Sequence, residues 1–453
     1  MKKKIAVVIQ RYGLEVNGGA ELLCRQLSER LQGIFDITVL TTRALDYYSW
    51  KNHYKQGVSK IYGVTVHRFP VDFERNKKKF DDLSRIVYAT PHDTSAGEKW
   101  MKEQGPCSSE LFSYIEKHER DFNFFLFFTY LYATTYYGIQ AIKNKKKIVL
   151  VPAAHDEPPI RLKIFDSVFH SPNQIIFNTE AERDFVHHRF DNEHIQNIVA
   201  GVGVEFPPNY IRHAADFVKK YIGTSEKRHF ENENAKIRAK TLKDDEDVSE
   251  EDTARRSEAF AAESLHLQSK ECFSEVPKRK GCFSGLSQYV IYAGRIDESK
   301  GCKEMFEYFL EYKKLTHSSL QLVLLGKAEM DIPSHPDIIA LGFISDQDKF
   351  DAICGARFMI VPSPYESLSI SLLEAFLCQK TVLVNGRCEV LKNHCVQSNG
   401  GLWYGNAGEF IEGLDYLLTH KNEREIMEKN GYQYVLQNYQ WNLIIEKIKN
   451  FIL

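Results

Sequence analysis

The 453 residues hold no apolar run long enough to cross a bilayer, no Cys-x-x-Cys pair and almost no net charge. The N-terminal lysines precede only five apolar residues, Ile5 to Ile9, before Gln10 and Arg11. A secretory segment needs an apolar stretch of about 7–15 residues, so this run predicts a first buried strand. Another apolar stretch, 122–137, is interrupted by Asn123 and by threonines and tyrosines, which excludes a spanning helix. Nine scattered cysteines predict reduced, buried thiols and a cytoplasmic location, reaching at most the inner face of a membrane. A formal net charge of −2 supplies no field to gather nucleic acid. No Gly-x-Gly-x-x-Gly follows the first strand of either half, which argues against a dinucleotide oxidoreductase.

The chain does contain two halves in which short apolar runs alternate with helical patterns, the mark of parallel sheets built from βαβ units. Strands are predicted at 4–9, 37–40, 64–69, 124–128, 148–151 and 174–177, then at 289–293, 321–325, 338–341, 358–361 and 381–384. Helices are predicted at 19–31, 111–118, 135–143 and 179–189, then at 302–315, 346–354 and 371–378. A helical pattern over 422–451 breaks near 438–441. The expected fold class is α/β, with two Rossmann-like doubly wound domains. Residues 1–208 form the first, 289–430 the second, and 431–453 a helix that packs back on the first. The stretch 224–285, within a linker at 209–288, is dense in charge of both signs and poor in large apolar residues. It is read as an exposed insertion that cannot bury enough surface to offset its ordering entropy.

Four clusters carry chemistry. Pro362 to Phe376 follows a strand and opens a helix, so its small residues leave backbone N–H groups to face a phosphate at a helix start. Glu366 and Glu374 frame that helix start. Ser371-x-x-Glu374 also reads as a capping box, which alone would explain Glu374. Gly294-Arg295 ends a strand and is followed by Lys300-Gly301; the arginine fork and the lysine point charge can converge on a diphosphate. Asn17-Gly18-Gly19-Ala20-Glu21 follows the first strand and starts a helix, although turns use glycine routinely. His155, with Asp156 and Glu157 beside it, stands at another strand end, where a structural role is equally open.

Taken together and in this order, these motifs resemble glycosyltransferase family 4 (glycosyl transferases group 1) on a GT-B fold. The resemblance extends to Asn178-Thr179-Glu180-Ala181-Glu182. It implies that Arg295 and Lys300 neutralise the donor diphosphate and that Glu374 holds the ribose. Glu366 would bind the transferred sugar, helped by backbone N–H groups of Ser367, Leu368 and Ser369. Gly18 and Gly19 would approach the phosphates, Gly294 would allow close backbone approach, and His155 would contact the sugar near the reacting carbon. Phe343 and Ile344 resemble the segment that reads the base. Serines stand where the family often has glycine after the first Glu. The implied catalytic set is His155, Glu366, Arg295 and Lys300, in a retaining, metal-independent transferase with no cofactor beyond its donor.

The expected partners are a sugar nucleotide as donor and a glycan or lipid-linked acceptor, in synthesis of a cell-surface polysaccharide or glycolipid. No nucleic acid is expected, and the oligomeric state is open. Two Asp-x-Asp strings, 245–247 and 346–348, read as structural rather than metal-binding. Tyr130, Tyr132, Tyr136 and Tyr137 could stack on an acceptor sugar, but helical spacing also fits core. The run Arg75 to Lys79 could touch anionic lipid head groups in a peripheral association, or form a solvated face. A non-catalytic sugar-nucleotide-binding or scaffold subunit is the alternative function.

Overall fold

The computed structural model describes residues 2–16, 18–89, 94–222 and 289–453. The charged stretch 224–285, with the string 245–247, lies outside the described residues. The chain forms two compact units. One comprises Met1–Gly203, Tyr365–Ile370 and Tyr439–Leu453, and the other Val204–Pro364 and Ser371–Asn438.

The first unit is built on eight strands: β1 (Lys4–Val8), β2 (Asp36–Thr42), β3 (Gly57–Ile61), β4 (Val64–Phe69), β5 (Phe124–Phe128), β6 (Ile148–Val151), β7 (Gln174–Phe177) and β8 (Gln196–Val199). They form one sheet in the order β3-β4-β2-β1-β5-β6-β7-β8. Every pairing is parallel except β3 with β4. Central strands such as Phe-Phe-Leu-Phe-Phe of β5 are apolar on both faces because helices cover both sides. Those helices are α1 (Gly19–Leu31), α2 (Lys77–Ala89), α3 (Thr94–Gln104), α4 (Ser109–Lys117), α5 (Ala133–Ala141), α6 (Ile164–His170) and α7 (Glu180–Phe190). Their apolar faces build a core that includes Trp100, Phe125, Phe127, Tyr130, Phe165 and Phe169.

The strands expected in this half are all present, whereas β3 and β8 escaped the periodicity. Strand β3 is an edge strand with a largely exposed Val-Ser-Lys centre, so it lacks the apolar run of a buried strand. Its hairpin turn, Tyr62-Gly63 with φ of 45° and 82°, was the available signal, since two left-handed residues suit a tight hairpin. Tyr130, Tyr132 and Tyr136 are core side chains, so the stacking surface considered for them is largely internal. Arg75 is a correction. It is buried, donates to the carbonyls of Tyr48 (2.8 Å) and Tyr47 and to Gln104, and presents no charge to a lipid surface. Lys77 and Lys79 pair with Asp81 and Glu103.

The second unit holds a six-stranded, wholly parallel sheet. Its strands are β9 (Tyr289–Ala293), β10 (Gln321–Leu325), β11 (Ile338–Gly342), β12 (Met359–Val361), β13 (Val382–Asn385) and β14 (Gly401–Tyr404), in the order β11-β10-β9-β12-β13-β14. The short helix α8 (Ala214–Phe217) is followed by α9 (Cys302–Thr316), α10 (Asp346–Gly355), α11 (Ile370–Leu377), α12 (Glu389–Ser398), α13 (Ala407–Thr419) and α14 (Lys421–Asn438). Asp346 and Asp348 sit in the first turn of α10, where Ser345 caps Asp348 N, the structural place their sequence suggested. The chain breaks at Tyr439-Gln440 and re-enters the first unit as α15 (Trp441–Ile452). There the Arg30 guanidinium lies 4.0 Å from the Trp441 ring centroid, and Lys3 Nζ donates to Ile452 O at 3.3 Å. No helix among the described residues is long and apolar enough to cross a membrane.

Candidate functional site

In an open α/β sheet, ligands bind beyond the strand C-termini where the strand order reverses. In the second unit that point lies between β9 and β12, which lead outward in opposite directions. Gly294 and Arg295 leave β9, and Pro362 leaves β12. The two loops touch through Gly301, whose φ of 73° is left-handed and whose added Cβ would stand 2.2 Å from Pro362 O. Only glycine lets the turn after Lys300 lie this close to the β12 loop. Gly294 has a different reason: a Cβ there would meet the Tyr292 hydroxyl at 2.9 Å.

The cations of this region are preset by local polar groups. Asp297 caps the turn Glu298–Lys300, accepting from Lys300 N at 3.0 Å, and its carboxylate pairs with the exposed Arg295. Glu374 lies on the second turn of α11, with its side chain 12% exposed, and pairs with Lys349 of α10 at 2.8 Å. Burial opposes the charge of Lys349, yet Glu374 and then Asp346 hold its ammonium above the ordinary value. Lys349 is a site neighbour that sequence reasoning missed, because its proximity to Glu374 comes from helix packing rather than spacing. The capping-box reading is corrected: α11 begins at Ile370, so Ser371 lies inside the helix, and the Glu374 carboxylate faces Lys349. Phe343 follows the left-handed Gly342 and is 73% exposed, with Ile344 half-buried beside it.

The other expected residues belong to the first unit. Gly18 precedes α1, and its Cβ would lie 2.1 Å from the Glu21 carboxylate, whereas a Cβ on Gly19 would meet nothing within 4 Å. A side chain at Gly18 would therefore have to displace the buried Glu21 carboxylate, whereas the position of Gly19 is open. Glu21 is buried against Arg11 (2.6 Å) and Gln10 (2.9 Å), a salt bridge that anchors the start of α1 behind β1.

His155 follows β6, with Ala153 in the left-handed region at φ 48°. Its ring stacks on Tyr365 at 5.7 Å, and its Nε2 is 3.7 Å from Glu157. The buried Glu182 fastens this loop, accepting from Ala154 N and Asn178 N at 2.6 Å each. Burial lifts the Glu182 carboxyl to about 8, although the backbone N–H groups of Asn178, Ala154 and Thr179 favour its charged form. The segment Tyr365–Ile370 groups with this unit, where Asn178 and Thr179 bond to Ser367. Glu366 is half-buried in that segment, and Leu368 is buried.

Ser369 has φ 72° and a buried hydroxyl with no hydrogen-bond partner among the described residues. A side chain in the left-handed region costs roughly 1–2 kcal/mol, and an orphaned hydroxyl adds to that cost. Ser369→Gly should therefore raise stability by about 1 kcal/mol after the greater chain entropy of glycine is deducted. A denaturation midpoint unchanged or lowered in urea would contradict this account.

Two parallel-sheet Rossmann-like domains, the second with its charged loops at a strand-order reversal, define a GT-B fold. Residues 278–434 match the family model "Glycosyl transferases group 1". An uncharacterized glycosyltransferase of Methanocaldococcus jannaschii is 24% identical over 177 residues, 36% of this chain and 43% of that protein. The match thus spans less than half of that relative's length. Sucrose-phosphate synthase from Thermosynechococcus elongatus superposes with a TM-score of 0.59 at 14% identity, covering 99% of this chain and 98% of that one. Anabaena HepE, solved with UDP-glucose, gives 0.60 at 12% identity, again over 99% and 98%. At such identities the structural likeness establishes the fold.

Proposed function

We propose that the protein is a retaining glycosyltransferase that moves a sugar from a nucleoside-diphosphate sugar to a glycan or lipid-linked acceptor. The observation that carries this reading is the junction of Gly294-Arg295, Lys300-Gly301 and Pro362 at the reversal of the second sheet, within the region matching the group 1 family. The UDP-glucose complex of HepE lends support to a sugar-nucleotide donor.

In the reaction, the bond between the anomeric carbon and the diphosphate oxygen breaks and an acceptor oxygen takes its place on the same face. The transition state is oxocarbenium-like. Arg295 and Lys300 neutralise the charge that builds on the departing diphosphate, a task for which no metal is invoked. Glu374, held by Lys349, accepts ribose hydroxyls, and Glu366 grips the sugar. The acceptor proton passes to the leaving diphosphate, so no side-chain base is assigned. Cell-surface polysaccharide or glycolipid synthesis at the cytoplasmic membrane face is the setting this chemistry suits.

Donor profiling by thermal shift across UDP-, GDP- and ADP-sugars tests the reading. A donor at 100 times its Kd adds about 2.7 kcal/mol to stability. Glu374→Ala should remove that shift. Absence of stabilisation by every donor, or a full shift retained in Glu374→Ala, would overturn the assignment.

A further inference from the structure

The loop after β6 presents two adjacent carboxylates, and the fold sends them in different directions. Asp156 is 58% exposed and pairs with Arg161 at 2.8 Å. Glu157 is 19% exposed. Its Oε1 accepts a hydrogen bond from the buried Tyr130 hydroxyl at 2.7 Å and lies 3.7 Å from His155 Nε2. Burial first, and then the Glu157 charge, push the Tyr130 phenol well above its ordinary value, so it stays a donor. The Glu157 N–H also bonds to His155 O at 2.8 Å, and Pro158 and Pro159 open the following turn. Backbone and side chain are thus fixed before any ligand arrives. Oε2 has no hydrogen-bond partner among the described residues.

We propose that Glu157 is a saccharide-binding residue whose Oε2 accepts a hydrogen bond from a ring hydroxyl of a sugar seated against His155. The assignment rests on the glycosyl-transfer reading. A half-buried carboxylate with one oxygen tied to Tyr130 gains a charge-assisted bond when a neutral hydroxyl donor reaches the other. A phosphate there would meet like charge, so the group recognised is a sugar hydroxyl. That hydroxyl belongs either to the transferred sugar or to an acceptor sugar, and the two sources separate by experiment.

Wild type, Glu157→Gln and Asp156→Asn are compared for binding of UDP, GDP and ADP and of the matching glucose nucleotides. Nucleotide release is then measured against methyl glucoside, galactoside and mannoside. The glutamine keeps a carbonyl oxygen for Tyr130 but turns the second position into a donor. Nucleoside-diphosphate Kd should stay unchanged in all three proteins. In Glu157→Gln, the sugar-nucleotide Kd rises about tenfold if the transferred sugar is bound, or the half-saturating glycoside concentration rises about tenfold if the acceptor is. Asp156→Asn should match wild type in both arms. Wild-type values for Glu157→Gln in both arms, or an equal loss in Asp156→Asn, would overturn the proposal. A wild-type protein that binds no nucleoside diphosphate would instead overturn the transferase reading, and this assignment with it.

Discussion

Arg295→Ala should lower the rate of nucleotide release from the sugar donor by about 10²–10³, and Lys300→Ala by a similar factor. Arg295 is exposed and Lys300 half-buried, so their replacement should move folding stability by only about 0.5 kcal/mol. The loss would therefore report on the reaction. Arg295→Lys should recover little, because the planar fork can engage two diphosphate oxygens and the ammonium only one point. Asp297 presets that fork, which removes part of the ordering cost when the diphosphate arrives. Initial rates under saturating donor decide the matter. Turnover of Arg295→Ala within a factor of two or three of wild type would show that the leaving group is stabilised elsewhere.

Glu182→Ala should cost roughly 2–5 kcal/mol, because it leaves the buried N–H groups of Ala154 and Asn178 without an acceptor. The same residue makes stability depend on pH. Its carboxyl is raised from 4.5 to about 8 in the folded chain. Between those values the folded state binds more protons than the unfolded one. The contribution of Glu182 is thus fully present below 4.5 and is lost as pH rises through about 8. Wild type should lose ground to Glu182→Gln across that window, by at most about 1.4 kcal/mol per pH unit. Urea denaturation of both proteins at several pH values measures the gap. A gap that stays constant with pH would show that Glu182 carries the same charge in both states. Because Ala154 precedes His155, Glu182→Ala also releases the loop that aims His155 and Glu157.

Much of the framework was legible from pattern. Apolar runs such as 124–128 and 289–293 are strands because their residues must be buried on both faces, and that demand is written locally. The helix 19–31 was legible from a different local pattern, apolar residues such as Leu23, Leu27 and Leu31 recurring on one face at helical spacing. Edge strands β3 and β8 were not, since an edge needs little apolar surface. Arg75 was misread as surface because its partners, the carbonyls of Tyr47 and Tyr48 and the side chain of Gln104, are brought in by separate segments.

The candidate residues of each unit divide in the same way. The order of residues along the chain already states which residue types stand at which strand ends: Gly18-Gly19 after β1, His155-Asp156-Glu157 after β6, Gly294-Arg295 after β9 and Glu366 to Glu374 after β12. Strand-to-loop order is local, and so it survives folding unchanged. Which member of each motif faces what is set by packing between distant segments. Packing sets the Glu21 carboxylate beside Gly18 and leaves Gly19 open; it places Lys349 against Glu374; it turns Asp156 outward and Glu157 toward His155. Adjacent residues of like chemistry differ only in the direction their side chains take. That direction is fixed by burial and by partners distant in sequence, which spacing cannot express.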